Sequence, residues 1–225
     1  MTVPPLDPTV PASHRERKKA RTRASLIEVS QRLFAEKGYS ETTLEDISEQ
    51  VEVRPQTLLR YFESKAHLAL APLTSALDEL RHYLEDPARR VDTLTAWREY
   101  MRRESSELVA PTSEVISSYV HNLREFRRWA DRDPVLVAMV SDIDRRLREL
   151  LGASLAHDRG VDPDDLHSTL VAALLVAGRL AVYERWLDRE VDAGSLVEDQ
   201  LAVIDYAVRS LPRRSAQRLL TVAEG

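Results

Sequence analysis

The chain has 225 residues, 43% of them hydrophobic, which is enough to bury a sizeable core, and it carries a formal net charge of -5. An acidic balance argues against indiscriminate coating of nucleic acid, so any DNA binding must come from a local basic patch. With no cysteine in the sequence, a disulfide framework, a thiolate metal site and a cysteine nucleophile are all excluded.

No stretch reaches the roughly 18 uninterrupted apolar residues of a membrane span, and the N-terminus lacks the apolar run of a signal peptide. The expectation is a cytoplasmic protein with no membrane partner. Only six glycines are present, and apolar residues recur at intervals of three and four. This predicts an all-α protein of about nine helices without internal repeats.

Residues 1–13, MTVPPLDPTVPAS, carry prolines and almost no periodicity, which predicts a disordered leader. The composition then changes abruptly. Between His14 and Arg23, the cations Arg15, Arg17, Lys18, Lys19, Arg21 and Arg23 stand against Glu16 alone. An isolated charge run is ordinarily a solvated flank. Immediately before a helix-turn-helix pattern it is a candidate arm that follows phosphates or enters a minor groove.

A first helix is expected over 21–37, with Leu26, Ile27, Ser30, Leu33 and Phe34 inward. Gly38 can end it by taking a positive φ. Thr42 and Thr43 are candidate N-caps for a second helix whose Glu45 and Asp46 suit the positive end of the helix dipole. Its Leu44, Ile47 and Val51 should face inward. After the turn Glu52-Val53-Arg54, Pro55 fits the first turn of a third helix, where its missing N–H costs nothing. Leu58 and Phe62 share one face and should dock inward, leaving Gln56, Thr57, Leu59, Arg60 and Tyr61 outward. Gln can pair with adenine, Thr and Leu can touch a thymine methyl, and Tyr can donate to phosphate. Ser64 is a candidate cap for a fourth helix running to about residue 86, with a break at Pro72. Lys65 then lies at the end of that helix where the dipole disfavours a cation, which a phosphate opposite would explain.

Phe34, Gly38-Tyr39, Thr42-Thr43, Ile47, Thr57-Leu58, Tyr61-Phe62, Ser64-Lys65 and Leu68 together resemble the N-terminal domain of TetR-type transcriptional regulators. The resemblance implies a homodimeric repressor whose third helix enters the major groove of operator DNA and whose C-terminal domain senses a small molecule. By that resemblance Thr43, Arg54, Gln56, Thr57, Leu59, Tyr61 and Lys65 face DNA. Arg21, Arg23, Thr42, Pro55 and Arg60 complete the expected contact set. The chain departs from the family at Glu52, where glycine is usual, and at Leu59, where an aromatic residue is usual. The first departure suggests a turn conformation that a non-glycine residue accepts; the second calls one family phosphate contact into question.

The expected organisation is a leader with basic arm over 1–20, the helix-turn-helix domain over 21–66, a ligand-binding and dimerisation domain over 67–211, and a tail over 212–225. Further helices are expected at about 91–108, 112–132, 134–157, 163–188 and 195–211. In the fourth of these, Leu166, Leu170, Ala173, Leu174, Ala177, Gly178 and Ala181 form a stripe of small and apolar residues, and Leu201, Ile204 and Val208 follow in the fifth. Such a stripe suits either a monomer core or a close helix–helix contact. The family resemblance implies a four-helix dimer interface there.

Trp97, Tyr100, Met101, Tyr119, Asn122, Phe126, Trp129 and Met139 are candidate ligand-binding residues, although aromatic and Met residues at helical spacing are commonly ordinary core. They would suit a small, largely apolar effector. His157, Asp158, Asp162, Asp164, Asp165 and His167 are the densest group of potential metal ligands. They lack any known metal-loop spacing and surround a helix joint, so neither metal nor cofactor is expected. With no catalytic constellation visible, the expected function is a ligand-responsive DNA-binding regulator and not an enzyme. The alternative is a helical dimer that does not bind DNA and serves as a protein-interaction module.

Overall fold

In a computed structural model of the chain, the described residues are 13–110, 118, 121–122, 133–189 and 193–209. They form two compact units, Met1–Ala71 and Pro72–Gly225. The expected disordered leader therefore lies almost wholly outside the described residues, as do the tail and most of the helix expected over 112–132. Among the described residues nine helices are delimited and no strand occurs.

The first unit begins with α1 (His14–Lys37), which starts a full two turns earlier than the apolar pattern suggests. Its cause is a capping box: the Glu16 amide donates to Ser13 Oγ at 3.2 Å, and the Ser13 amide donates back to the Glu16 carboxylate at 2.6 Å. The basic arm is thus the first two turns of a helix, and the expected boundary at residue 20 falls inside it.

Leu26, Ser30, Leu33 and Phe34 of α1 are buried as expected. They meet α2 (Leu44–Gln50), with Ile47 fully buried, and α4 (Lys65–Ala69), with Leu68 fully buried. Between these lies α3 (Pro55–Leu59), anchored by Leu58 and, just beyond its end, Phe62. Gln31 is buried on α1. Its side-chain amide donates to the carbonyls of Leu68 and Ala69 at 2.9 and 3.2 Å, tying α1 to carbonyls at the end of α4.

Pro72 does break the chain: α4 stops at Ala69 and α5 (Ala71–Glu85) begins at once, placing the proline in a first turn that tolerates it. The second unit continues with α6 (Thr93–Val109), α7 (Pro134–Arg159), α8 (Leu166–Arg189) and α9 (Ala193–Arg209). Asp133 caps α7 ahead of Pro134, and Gly160 ends it in the left-handed region at φ 63. Helix α8 packs on α7 and α9, and α6 packs on α9 and α7.

The inward side of α8 carries Val171, Ala172, Leu175, Val176 and Trp186, all buried. Gly178 belongs to the packing of the protomer: a Cβ there would meet Val203 of α9 at 2.4 Å. Ile204 is 1% exposed. Gly178, expected at a dimer interface, instead closes α8 against α9 within one chain, and Ile204, expected there too, is buried within the protomer. Leu166, Leu170, Ala177 and Ala181 are exposed, while Ala173, Leu174, Leu201 and Val208 are half-buried. Because both of its faces are apolar, Leu166–Leu187 is long and apolar enough to cross a membrane by length and composition alone.

Candidate nucleic-acid interface

The reading head is assembled from short-range hydrogen bonds. The Asp46 amide donates to Thr43 Oγ1 at 3.0 Å and the Thr43 amide donates to the Asp46 carboxylate at 2.8 Å, a second capping box. These bonds from Thr43 hold the Asp46 carboxyl below its ordinary pKa. Thr42 is fully buried, and its hydroxyl donates to the carbonyls of Gly38 at 2.9 Å and Leu33 at 3.2 Å. It pins the end of α1 to the start of α2 and presents nothing outward, contrary to its expected place among the DNA contacts.

The turn between α2 and α3 is held by the Glu52 amide donating to Glu49 O at 3.1 Å and the Val53 amide donating to Ser48 O at 2.9 Å. Glu52 sits at φ 55, so the turn keeps the left-handed geometry that a glycine adopts without cost. The expectation of a conformation comfortable for a non-glycine residue is therefore corrected. Left-handed backbone costs an L-residue about 1–2 kcal/mol, part of which glycine returns as lost chain entropy. Glu52→Gly should raise the stability of the N-terminal unit by about 0.5–1 kcal/mol in urea unfolding; a lower midpoint would contradict a strained turn.

Burying Leu58 leaves the neighbouring residues of α3 outward. Arg54, Gln56, Leu59 and Arg60 are exposed, Leu59 at 47%, while Pro55, Thr57 and Tyr61 are half-buried. Thr43 is exposed at the start of α2. Gln56, Leu59 and Arg60 share one exposed face of α3 and Arg54 stands exposed at its N-cap, so the helix offers a hydrogen-bonding amide, two guanidinium groups and an apolar tip, the mixture that base edges and phosphates require.

Two of the expected contacts are engaged elsewhere. The Arg23 guanidinium lies 5.3 Å from the centre of the Phe62 ring. The Lys65 ammonium donates to the carbonyls of Tyr39 at 2.8 Å, Thr42 at 3.0 Å and Ser40 at 3.4 Å, and stands 4.4 Å from the centre of the Tyr39 ring. A cation at the unfavourable end of α4 is thus explained by three backbone carbonyls, with no phosphate needed.

A family model described as bacterial regulatory proteins, tetR family, matches residues 26–71, and one described as the MftR C-terminal domain matches residues 130–209. The chain is 30% identical over 184 residues to the HTH-type transcriptional regulator TcmR of Streptomyces glaucescens, covering 81% of this chain and 80% of that one. The chain belongs to the TetR family. It is also 32% identical to the transcriptional regulator TtgR of Pseudomonas putida, over 74% of this chain and 80% of the relative. Among solved structures, a SmeT–triclosan complex superposes with a TM-score of 0.63 at 19% identity, over 84% of this chain and 91% of that one. TetR-family membership makes this chain a DNA-binding transcriptional regulator and not an enzyme, and it favours that reading over the silent interaction module.

In the second unit of this TetR-family chain, Trp97 and Met101 are buried and Tyr100 stacks on Trp97 with ring centres 5.4 Å apart. Asn122 is buried and Met139 is half-buried. Tyr119, Phe126 and Trp129 lie outside the described residues. Beside the aromatic pair runs a buried polar cluster that sequence reading missed. Arg179 of α8 donates to the Glu104 carboxylate of α6 at 2.8 and 3.3 Å, the Tyr183 hydroxyl donates to the same carboxylate at 2.6 Å, and Gln200 of α9 donates to the Arg179 carbonyl at 3.2 Å. Burial and the adjacent Glu104 carboxylate push the Tyr183 phenol well above its ordinary pKa, so it remains a donor. The available signal was Arg179 itself, a lone cation inside an apolar run.

Of the six residues weighed as metal ligands, two are engaged in ion pairs and a third is open to solvent. Asp158 is held by Arg89 and Thr93, Asp165 by Arg159 and Ser168, and His157 is largely exposed. Among the described residues no group of three or more such side chains is placed to hold a metal ion.

Proposed function

We propose that two copies of this chain bind a palindromic operator in the cytoplasm as a repressor, and that a small, largely apolar molecule in the C-terminal unit releases them. The observation that carries the reading is the exposed face of α3, where Gln56 and Arg60 stand outward on a helix fixed by buried Leu58. Pairing is supported by the exposed apolar side of α8, with Leu166 70% and Leu170 58% exposed, and by Tyr206 of α9 at 63%. Those side chains lose water contact if a second copy covers them, and a two-fold pair presents two α3 helices to successive major grooves.

The apolar character of the effector is supported by Trp97, Tyr100 and Met101 on α6. Release requires the effector to prefer a conformation whose two reading heads are badly spaced, and operator DNA must then weaken effector binding by the same factor.

Selection from a random duplex library tests this reading, with enrichment of an inverted repeat as the expected result. Enrichment of no sequence would remove it. On the selected site, Gln56→Ala should lose roughly 1–2 kcal/mol of discrimination at one base pair in each half-site, while binding to unrelated duplex stays constant. A uniform loss across all sequences would take Gln56 out of the base-reading role.

A further inference from the structure

The first two turns of α1 do more than carry charge. Residues 14, 17, 18, 21, 22 and 25 follow the spacing of one helical face, and they form the wall of a cleft of about 520 Å³. Arg17, Lys18 and Arg21 supply its cationic side, His14 lies at its outer end, and Val51 and Val53 line it from the turn that leads into α3. The row is shaped before any partner arrives, because the Ser13–Glu16 capping box keeps it helical. That box also turns Glu16, the lone acid between His14 and Arg23, toward the Ser13 amide.

We propose that this cleft grips the DNA sugar–phosphate backbone beside the bases read by α3, and supplies affinity without sequence preference. The proposal rests on the operator-binding reading above and extends its footprint. Charge complementarity selects the occupant: a wall of cations and hydroxyls in an otherwise acidic chain suits a polyanion. The geometry also fits. From His14 to Arg21 the helix rises about 10 Å, against one phosphate per about 3.4 Å of axis along a DNA strand. The cleft opens beside Val53, the residue before the Arg54 N-cap of α3, and the N-terminal end of a recognition helix is the end that meets base edges. Arg23 takes no part, since it faces Phe62.

The test compares the full chain with Arg17→Gln/Lys18→Gln/Arg21→Gln, substitutions that preserve helix propensity. Affinity for the selected operator and for a scrambled duplex is measured across a potassium chloride series. The slope of log affinity against log salt should fall by about 2–3 per protomer on both duplexes, with the ratio of specific to non-specific binding unchanged. The charge-preserving Arg17→Lys/Arg21→Lys variant should keep the wild-type slope. An unchanged slope in the triple variant overturns the proposal, as does a fall in the ratio, which would mean that these side chains read bases. A third arm titrates inorganic phosphate. Thermal stabilisation of the wild type that the triple variant loses, together with an unchanged salt slope, would assign the cleft to a small free anion. The scrambled-duplex arm tests the cleft even where no operator is found, so failure of the operator reading and failure of the cleft are separate results.

Discussion

Asp158→Asn is expected to lower the stability of the C-terminal unit by about 3–5 kcal/mol, because it leaves a buried guanidinium without its counter-charge. The Arg89 side chain is 7% exposed and that of Asp158 12%, with Arg89 Nη2 donating to Asp158 Oδ1 at 2.7 Å. The second carboxylate oxygen accepts from the Thr93 amide at 2.6 Å and from the Thr93 hydroxyl, which also meets Ser154 at 2.7 Å. One carboxylate on α7 thereby fixes both the loop before α6 and its first residue. Asn keeps the shape but offers Arg89 no charge, so the desolvation cost of the guanidinium goes uncompensated.

The same carboxylate predicts a pH signature. Burial pushes the Asp158 carboxyl up, but hydrogen bonds from Arg89 and Thr93 outweigh burial and hold it below its ordinary value. A depressed folded pKa contributes stability that is fully present above the unfolded value of about 3.9 and is lost as pH falls through the folded one. Urea midpoints of the wild type should therefore decline through this acid window, and those of Asp158→Asn should decline less. Parallel pH profiles for the two proteins would show that Asp158 titrates alike in the folded and unfolded chain.

What could be read from the sequence follows the range of the interactions involved. Leu26, Leu33, Phe34, Ile47, Leu58 and Phe62 announce themselves by spacing, and they are buried. Pro72 and Asp133-Pro134 mark breaks because proline constrains its own backbone. The outward placement of Gln56 and Arg60 follows from the inward placement of Leu58. The early start of α1 was legible too, since Ser13 and Glu16 have capping-box spacing, but the leader's prolines and the charge run obscured it. Gly178, Ile204 and Arg179 were not legible. Whether a small or charged residue on α8 meets α9, α6 or a second copy depends on contacts between residues up to 75 positions apart. Periodicity shows which residues share a face and leaves open what that face meets.

Lys65 shows that ambiguity most sharply, and Lys65→Ala is expected to cost the N-terminal unit about 2–3 kcal/mol. Hydrogen bonds to a charged group contribute about 1.5–3 kcal/mol each, and the half-exposed position of this side chain discounts their sum. The carbonyls of Tyr39 and Thr42 that its ammonium bridges lie in the joint between α1 and α2, so their loss should loosen α2 and the α3 helix that depends on it. Amide hydrogen exchange should report faster opening from Ile47 to Tyr61, and affinity for every DNA sequence should fall together as the reading head is less often assembled. A phosphate contact at Lys65 would behave differently: unfolding and exchange would stay at wild-type values while the salt slope of DNA binding fell by about 1. The carbonyl geometry predicts the first pattern. It makes Lys65 a positioning residue for α3, acting on DNA through the backbone that holds the helix in place.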